Sequence, residues 1–169
     1  RPEDIVILMR SPGSRSAAFA AALAERDIPC SFQESGDFFH TMEISVMLSL
    51  LEIVDNPRQD VPLISVLRSP LFGFTADRLA EFRSAAPTGD YYDAVTADGG
   101  EDCKDFLAIL SDLRQAGRDM SVHRLVWHIY NRLNVLGVFG AMDDGAARRE
   151  NLIALSQHAE KFESNGYRG

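Results

Sequence analysis

Arg10 is the side chain whose neighbours best prepare it for chemistry. It follows Ile5-Val6-Ile7-Leu8-Met9, a continuous apolar run, β-branched at first, that predicts a buried strand ending at Arg10-Ser11-Pro12-Gly13. Proteins with open α/β sheets place ligand-contacting groups beyond the carboxyl ends of such strands. A guanidinium there reaches a phosphate with forked hydrogen bonds; a solvated loop arginine is the other reading of the same position. Ser11-Pro12-Gly13-Ser14 joins that strand to a helix N-terminus, which is the place of a phosphate loop, although a lone glycine among serines also makes a plain turn.

A second candidate is Ser69-Pro70-Leu71-Phe72-Gly73-Phe74-Thr75, a glycine-containing loop beside Arg68 that runs into a capped helix. Backbone amides at such a place can hold a nucleic-acid phosphate; alternatively the loop is a hydrophobic turn with Phe72 and Phe74 in the core. Tyr91-Tyr92 and the stripe Val126, Trp127, Ile129, Tyr130 offer base-stacking faces, but their helical spacing fits core packing better. His123 and His128 are five apart and share no helix face as an i, i+4 pair would, and His40 and His158 have no obvious partners, so no metal site is expected. Cys30 and Cys103 match no metal or redox spacing and read as reduced thiols of a cytoplasmic protein.

Several chemistries are missing from the 169 residues. There is no Gly-x-x-x-x-Gly-Lys-Ser/Thr run to cradle a triphosphate, no strand ending in a magnesium-holding acidic pair, and no Glu-x-Lys pattern of a metal-dependent nuclease. Phosphoryl transfer without a magnesium clamp is not expected, so no complete catalytic set lies in this chain. Net charge is −8, with 46% hydrophobic and 25% charged residues. Phosphate neutralisation supplies most nucleic-acid affinity, so any contact with DNA must be local or be supplied by other parts of a longer protein, and this chain is expected to bind DNA weakly and salt-sensitively at most. No apolar run is long enough to span a membrane. Arg1-Pro2-Glu3-Asp4 does not resemble a signal peptide, and the missing initiator Met points to an internal piece of a longer protein.

The elements that position these groups divide at Gly36. Before it, the strand at residues 5–9, a helix from about Ala17 to Arg26 capped by Ser14 or Ser16, and a short strand at Cys30-Ser31-Phe32 make a βαβ-like unit with a right-handed crossover. Two strands do not make a stable sheet, so the unit is expected to complete a larger one. After it the pattern is helical. Ile44, Met47, Leu48, Leu51 and Val54 recur at helix spacing behind Thr41, and Asp55-Asn56-Pro57 stops them. Asp60 caps a short helix and Thr75 opens another, which breaks at Ala86-Pro87-Thr88-Gly89. A minor helix spans Tyr91 to Thr96, and Asp98-Gly99-Gly100 is a flexible connector. Amphipathic helices then cover about Asp102–Ala116, Val122–Leu133 (capped by Ser121) and Ala146–Glu163.

The ordered series of motifs resembles the AddA branch of superfamily-one DNA helicases. Asp4 to Ser11 is similar to motif IV of the UvrD, PcrA and RecB kind, and Phe38-Phe39-His40-Thr41-Met42-Glu43-Ile44 to the aromatic-pair and Glu-Ile element that follows it. Asp55 to Leu63, Leu67 to Thr75, Val126-Trp127-His128-Ile129-Tyr130 and Arg148-Arg149-Glu150-Asn151-Leu152 are similar to AddA in particular. The resemblance implies a mainly α chain. Residues 1–36 would be a small βαβ fragment opening the second RecA-like motor domain, and residues 37–169 a helical 2B-type insertion domain.

It implies an ATP-dependent helicase/nuclease of bacterial cytoplasm that unwinds DNA in recombinational repair of double-strand breaks, with a partner of the AddB type. ATP and magnesium would be bound mostly by residues elsewhere. Arg10 would reach the γ-phosphate from the second motor domain, and Arg68, Ser69, Gly73 and Thr75 would form a DNA-contacting loop. In UvrD-type relatives that loop has a Gly-Ile-Gly core; here Gly73-Phe74-Thr75 lacks the second glycine, which puts close backbone approach in doubt. A helical protein-interaction module and an autonomous nucleotide-binding βαβ domain are the competing readings.

Overall fold

A computed structural model describes residues 5–9, 13–30 and 38–164. The chain divides into two compact units, Arg1–Thr41 and Met42–Gly169. In the first, helix α1 spans Gly13–Ala24, so Gly13, Ser14 and Ser16 lie within it rather than before it. A single 3-10 turn follows at Phe38–His40, where the rings of Phe38 and Phe39 meet edge to face at 5.0 Å. The Thr41 hydroxyl turns back to donate to the Phe38 carbonyl at 2.9 Å.

The expected βαβ fragment is not found among the described residues, which contain helices and no strand. Residues 5–9 form no regular element, and Ile5, Val6, Ile7 and Leu8 are 71%, 76%, 50% and 89% exposed. The physical reason lies in the ladder: a strand is held by hydrogen bonds to a neighbouring strand, and none is described beside it. An apolar β-branched run specifies strand only where a sheet receives it. Of the second expected strand, Cys30 is in no strand, and Ser31 and Phe32 lie outside the described residues, as do Arg10, Ser11 and Pro12.

The second unit is helical. Helix α2 (Met42–Asp55) is its axis, and it packs on α3 (Asp60–Arg68), α6 (Glu101–Asp119) and α9 (Gly145–Ser164). Ile44, Met47, Leu50 and Ile53 recur along α2 with essentially no exposure; full burial of each such side chain stabilises by roughly 1.5–3 kcal/mol. At Gly117 of α6 an added Cβ would meet Val54 Cγ1 at 3.2 Å, so α2 and α6 approach closely there.

Helices α4 (Ala76–Ala85) and α5 (Tyr91–Ala97) pack together, and α5 also touches α3 and α6. On the other side, α7 (Val122–Leu133) and α8 (Val135–Gly140) pack on α9. Asn134, at φ +49°, turns the chain between α7 and α8; asparagine tolerates this left-handed conformation better than most residues. Tyr130 donates from its hydroxyl to the Leu152 carbonyl at 2.7 Å, joining α7 to α9. That burial raises the Tyr130 phenol well above its ordinary range. The stripe Val126, Ile129 and Tyr130 is core, with Trp127 half-buried against the Tyr130 ring.

Candidate functional site

The loop from Arg68 to Thr75 is tightly organised by its own side chains. Ser69 is buried at the end of α3. Its hydroxyl donates to the Val66 carbonyl at 2.7 Å and accepts from the Leu71 amide at 3.3 Å. Its carbonyl accepts from the amides of Phe72 at 3.2 Å and Gly73 at 2.8 Å. Arg68 is exposed, but one guanidinium nitrogen donates to the Phe74 carbonyl at 2.9 Å. Arg68 and Ser69 thereby hold the loop in shape.

Phe72 and Phe74 converge on Phe106 of α6, at 5.0 and 6.4 Å between ring centroids. That anchors the loop in the core by aromatic contacts. Gly73, at φ +70°, and Thr75 are exposed, as are Arg68 and Pro70. The Thr75 hydroxyl caps α4 by accepting from the Arg78 amide at 3.2 Å, as the sequence predicts. Asp77 occupies the first turn of α4, where its charge opposes an incoming phosphate.

The charged side chains that the sequence does not single out form ties between helices. Arg78 donates from Nη2 to Asp98 at 2.6 Å and from Nε to Asp102 at 2.9 Å, and it pairs with Glu81 at 3.2 Å. Its guanidinium also lies 4.5 Å from the centre of the Phe82 ring. These hydrogen bonds hold the Asp98 and Asp102 carboxyls below their ordinary value and push the guanidinium further above its own. The Asp98-Gly99-Gly100 connector, expected to be flexible, is fastened by this clasp.

Asp98, Asp102 and Cys103 bring ligand-type atoms within 4.8 Å of one another. The cluster does not suit magnesium, which demands octahedral oxygen ligands. Both carboxylates are already hydrogen-bonded to Arg78, and burial pushes the Cys103 thiol up to about 11, so the thiolate needed for metal binding is disfavoured.

Elsewhere, Arg58 ties the α2–α3 connection to Asp90 at 2.6 Å and Asp93 at 2.9 Å. Asp60, expected to cap α3, is instead its first residue behind Gln59. Its carboxylate accepts from the Tyr91 amide at 2.7 Å and from Arg83 at 3.0 Å. Deepest is Glu43, 1% exposed, which accepts from Arg148 at 2.6 Å and from Asn151 at 2.7 Å.

The histidines do not gather. His123 Nδ1 lies 3.0 Å from the Ser156 carbonyl and its amide donates to Glu163 at 2.7 Å. His128 Nε2 is buried without a partner among the described residues. Tyr91 is core, donating to the Leu79 carbonyl at 2.6 Å, whereas Tyr92 is half-exposed.

Among the described residues the ionic clusters tie helix to helix. The chain belongs to the UvrD-like helicase C-terminal domain family, whose model matches residues 1–115. It is 39% identical over 172 residues to the A subunit of the ATP-dependent helicase/nuclease of Lactobacillus helveticus, covering 98% of this chain and 14% of that protein. It is 40% identical over 173 residues to the protein of the same name from Acetivibrio thermocellus, again covering 98% of this chain and 14% of the relative. For the Oceanobacillus iheyensis protein of that name the values are 39% over 176 residues, 99% and 14%. The chain therefore spans about one seventh of the length of these relatives. No helix among the described residues is long and apolar enough to cross a membrane.

Proposed function

We propose that this chain is part of an ATP-dependent DNA helicase/nuclease of the AddA kind, working with an AddB-type partner on broken DNA in the bacterial cytoplasm. The observation that carries the reading is similarity along 98–99% of the chain to relatives named as the A subunit of an ATP-dependent helicase/nuclease. A helical body with ionic ties suits a domain that transmits or guides rather than one that cleaves. Residues 1–36 belong to the second RecA-like motor domain in this reading, and residues 37–169 to a 2B-type insertion.

Arg10 supplies positive charge to the γ-phosphate of ATP in the assembled motor, while magnesium and most of the nucleotide site are provided outside this chain. The described residues do not fit a magnesium–nucleotide site, so no step of the ATP chemistry runs through them. Gly73 and Thr75 form the exposed tip of a DNA-contacting loop that Arg68 and Ser69 keep in register. The test is DNA-stimulated ATP turnover by the intact protein. Arg10→Ala should lower kcat by about 1,000-fold, as removal of an arginine finger does, with DNA affinity little changed. Unaltered turnover would overturn the role of Arg10, and absence of any DNA-stimulated turnover in the parent protein would overturn the whole reading.

A further inference from the structure

A cleft of about 330 Å³ opens between α5 and α6, lined by Tyr92, Ser111, Arg114, Gln115 and Arg118 over a floor that includes Leu110. Arg114 and Arg118 are one helical turn apart, on the same face and about 6 Å from each other along the axis. Neither has a carboxylate or carbonyl partner among the described residues. That is informative in a chain with 25 acidic residues against 17 basic ones. Arg58, Arg78, Arg83, Arg132 and Arg148 all pair with carboxylates, and Asp112, the acidic residue nearest Arg114 in sequence, is held by Arg132 at 3.2 Å. Two guanidiniums left unpaired in one cleft form a local basic surface of the kind that an acidic chain would need to contact a polyanion.

We propose that this cleft binds single-stranded nucleic acid, with Arg114 and Arg118 on successive backbone phosphates and Tyr92 stacking on a base. The proposal rests on the reading of the chain as part of a DNA-translocating enzyme and assigns a contact separate from the Arg68–Thr75 loop. Tyr92 decides between occupants. Arginines alone suit any anion, but an aromatic ring beside a cationic track is the arrangement that holds single strands without sequence preference. Ser111 and Gln115 add donors and acceptors for phosphate or base edges. An acidic peptide would use the arginines and leave the ring to Arg58 alone, which lies 5.9 Å from its centre.

The test is fluorescence-anisotropy titration of a fluorescein-labelled oligo-dT with the 169-residue chain, from low to moderate salt. The doubly substituted R114A/R118A chain should bind about tenfold or more weakly, and the slope of log affinity against log salt should shrink by about 1.4, two contacts at about 0.7 each. Tyr92→Leu should weaken binding about tenfold while Tyr92→Phe retains it. Arg118→Glu, at an exposed position, repeats the test without risk to packing, and far-UV circular dichroism checks that each variant keeps its helices.

Equal affinity of all variants for oligo-dT, or no binding of oligo-dT by the unaltered chain at low salt, overturns the proposal. So does preferential binding of polyglutamate that depends on the same arginines. DNA-stimulated ATP turnover of the intact protein separates the two claims. If turnover responds to DNA while the cleft variants bind normally, the cleft assignment alone fails. If turnover ignores DNA, the enzyme reading fails, and the oligo-dT titration still judges the cleft.

Discussion

Glu43 and Arg148, 105 residues apart in sequence, are joined by a 2.6 Å hydrogen bond inside the helical unit, and Asn151 also donates to the carboxylate at 2.7 Å. The pair fastens α2, the central helix, to the start of α9, and so closes the unit from its first helix to its last. Because Glu43 is 1% exposed, removing Arg148 takes a counter-charge away from a buried anion. Arg148→Met is expected to destabilise the chain by about 3 kcal/mol, the lower part of the range for breaking a buried pair, since the Arg148 side chain is itself 23% exposed. Adding Glu43→Leu to that variant should recover much of the loss. Urea midpoints of the two single variants and the double variant measure the coupling; additive losses would refute it.

The clasp around Arg78 makes a prediction in pH. Hydrogen bonds from Arg78 hold the Asp98 and Asp102 carboxyls below their ordinary value. In the unfolded chain those groups return to about 3.9. Their contribution is thus fully present above that ordinary value and is lost as pH falls through the lower folded-state values. The Tm difference between the unaltered chain and Arg78→Gln should be widest near neutral pH and should close on acidification below about pH 4. A difference that persists undiminished far below that point would mean that the clasp contributes by packing on Phe82 alone.

Much of the helical unit is legible in the sequence because local signals suffice for it. Val122–Leu133 is helical as its pattern predicts, Thr75 caps α4, and Ala86 to Gly89 separates α4 from α5. The pattern on α2 puts Leu48 and Leu51 on the buried stripe, whereas Leu50 and Ile53 are the fully buried ones; an apolar helix covered on several sides carries little periodicity to read. Helix α8 is short and gives no sequence signal, since Val135 to Gly140 contains two glycines that argue against a helix. The strand expected at residues 5–9 fails because β propensity reports the surface a segment would fit, and no partner strand is described there. The ionic ties are illegible for another reason: Glu43 and Arg148 each sit in a recognisable motif, but nothing local says that the two motifs meet.

The loop before α4 depends on a backbone conformation at Gly73. Its φ of +70° is costly for a residue with a Cβ, although an added Cβ would meet no atom within 4 Å. Gly73→Ala is therefore expected to destabilise by about 1–2 kcal/mol through backbone strain alone. Thr75→Ala, which deletes the cap on the Arg78 amide, should lose about 1 kcal/mol. If the exposed tip contacts DNA, Gly73→Ala will weaken duplex binding by the intact protein beyond what its stability loss explains. Thermal melts beside duplex titrations distinguish the two effects, and unchanged duplex affinity in a folded Gly73→Ala protein would remove the loop from the contact surface.

The two thiols should differ sharply in reactivity. Cys30 is exposed, whereas Cys103 is fully buried at the foot of the Arg78 clasp. Burial comes first among the causes that push the Cys103 thiol up to about 11, and the charges of Asp102 and Asp98 add to it. Only the thiolate attacks a disulfide reagent, so Cys103 is protected both by access and by protonation. Titration with an aromatic disulfide at mildly alkaline pH should release one equivalent rapidly from the folded chain and a second only in denaturant. Arg78→Gln unfastens Asp98 and Asp102 from the rim and removes the 3.8 Å contact of Arg78 Nη2 with the sulfur. It should raise the rate at which the second thiol reacts, because local opening then precedes attack more often. Two equivalents released together from the unaltered chain would show that α6 is not packed as described.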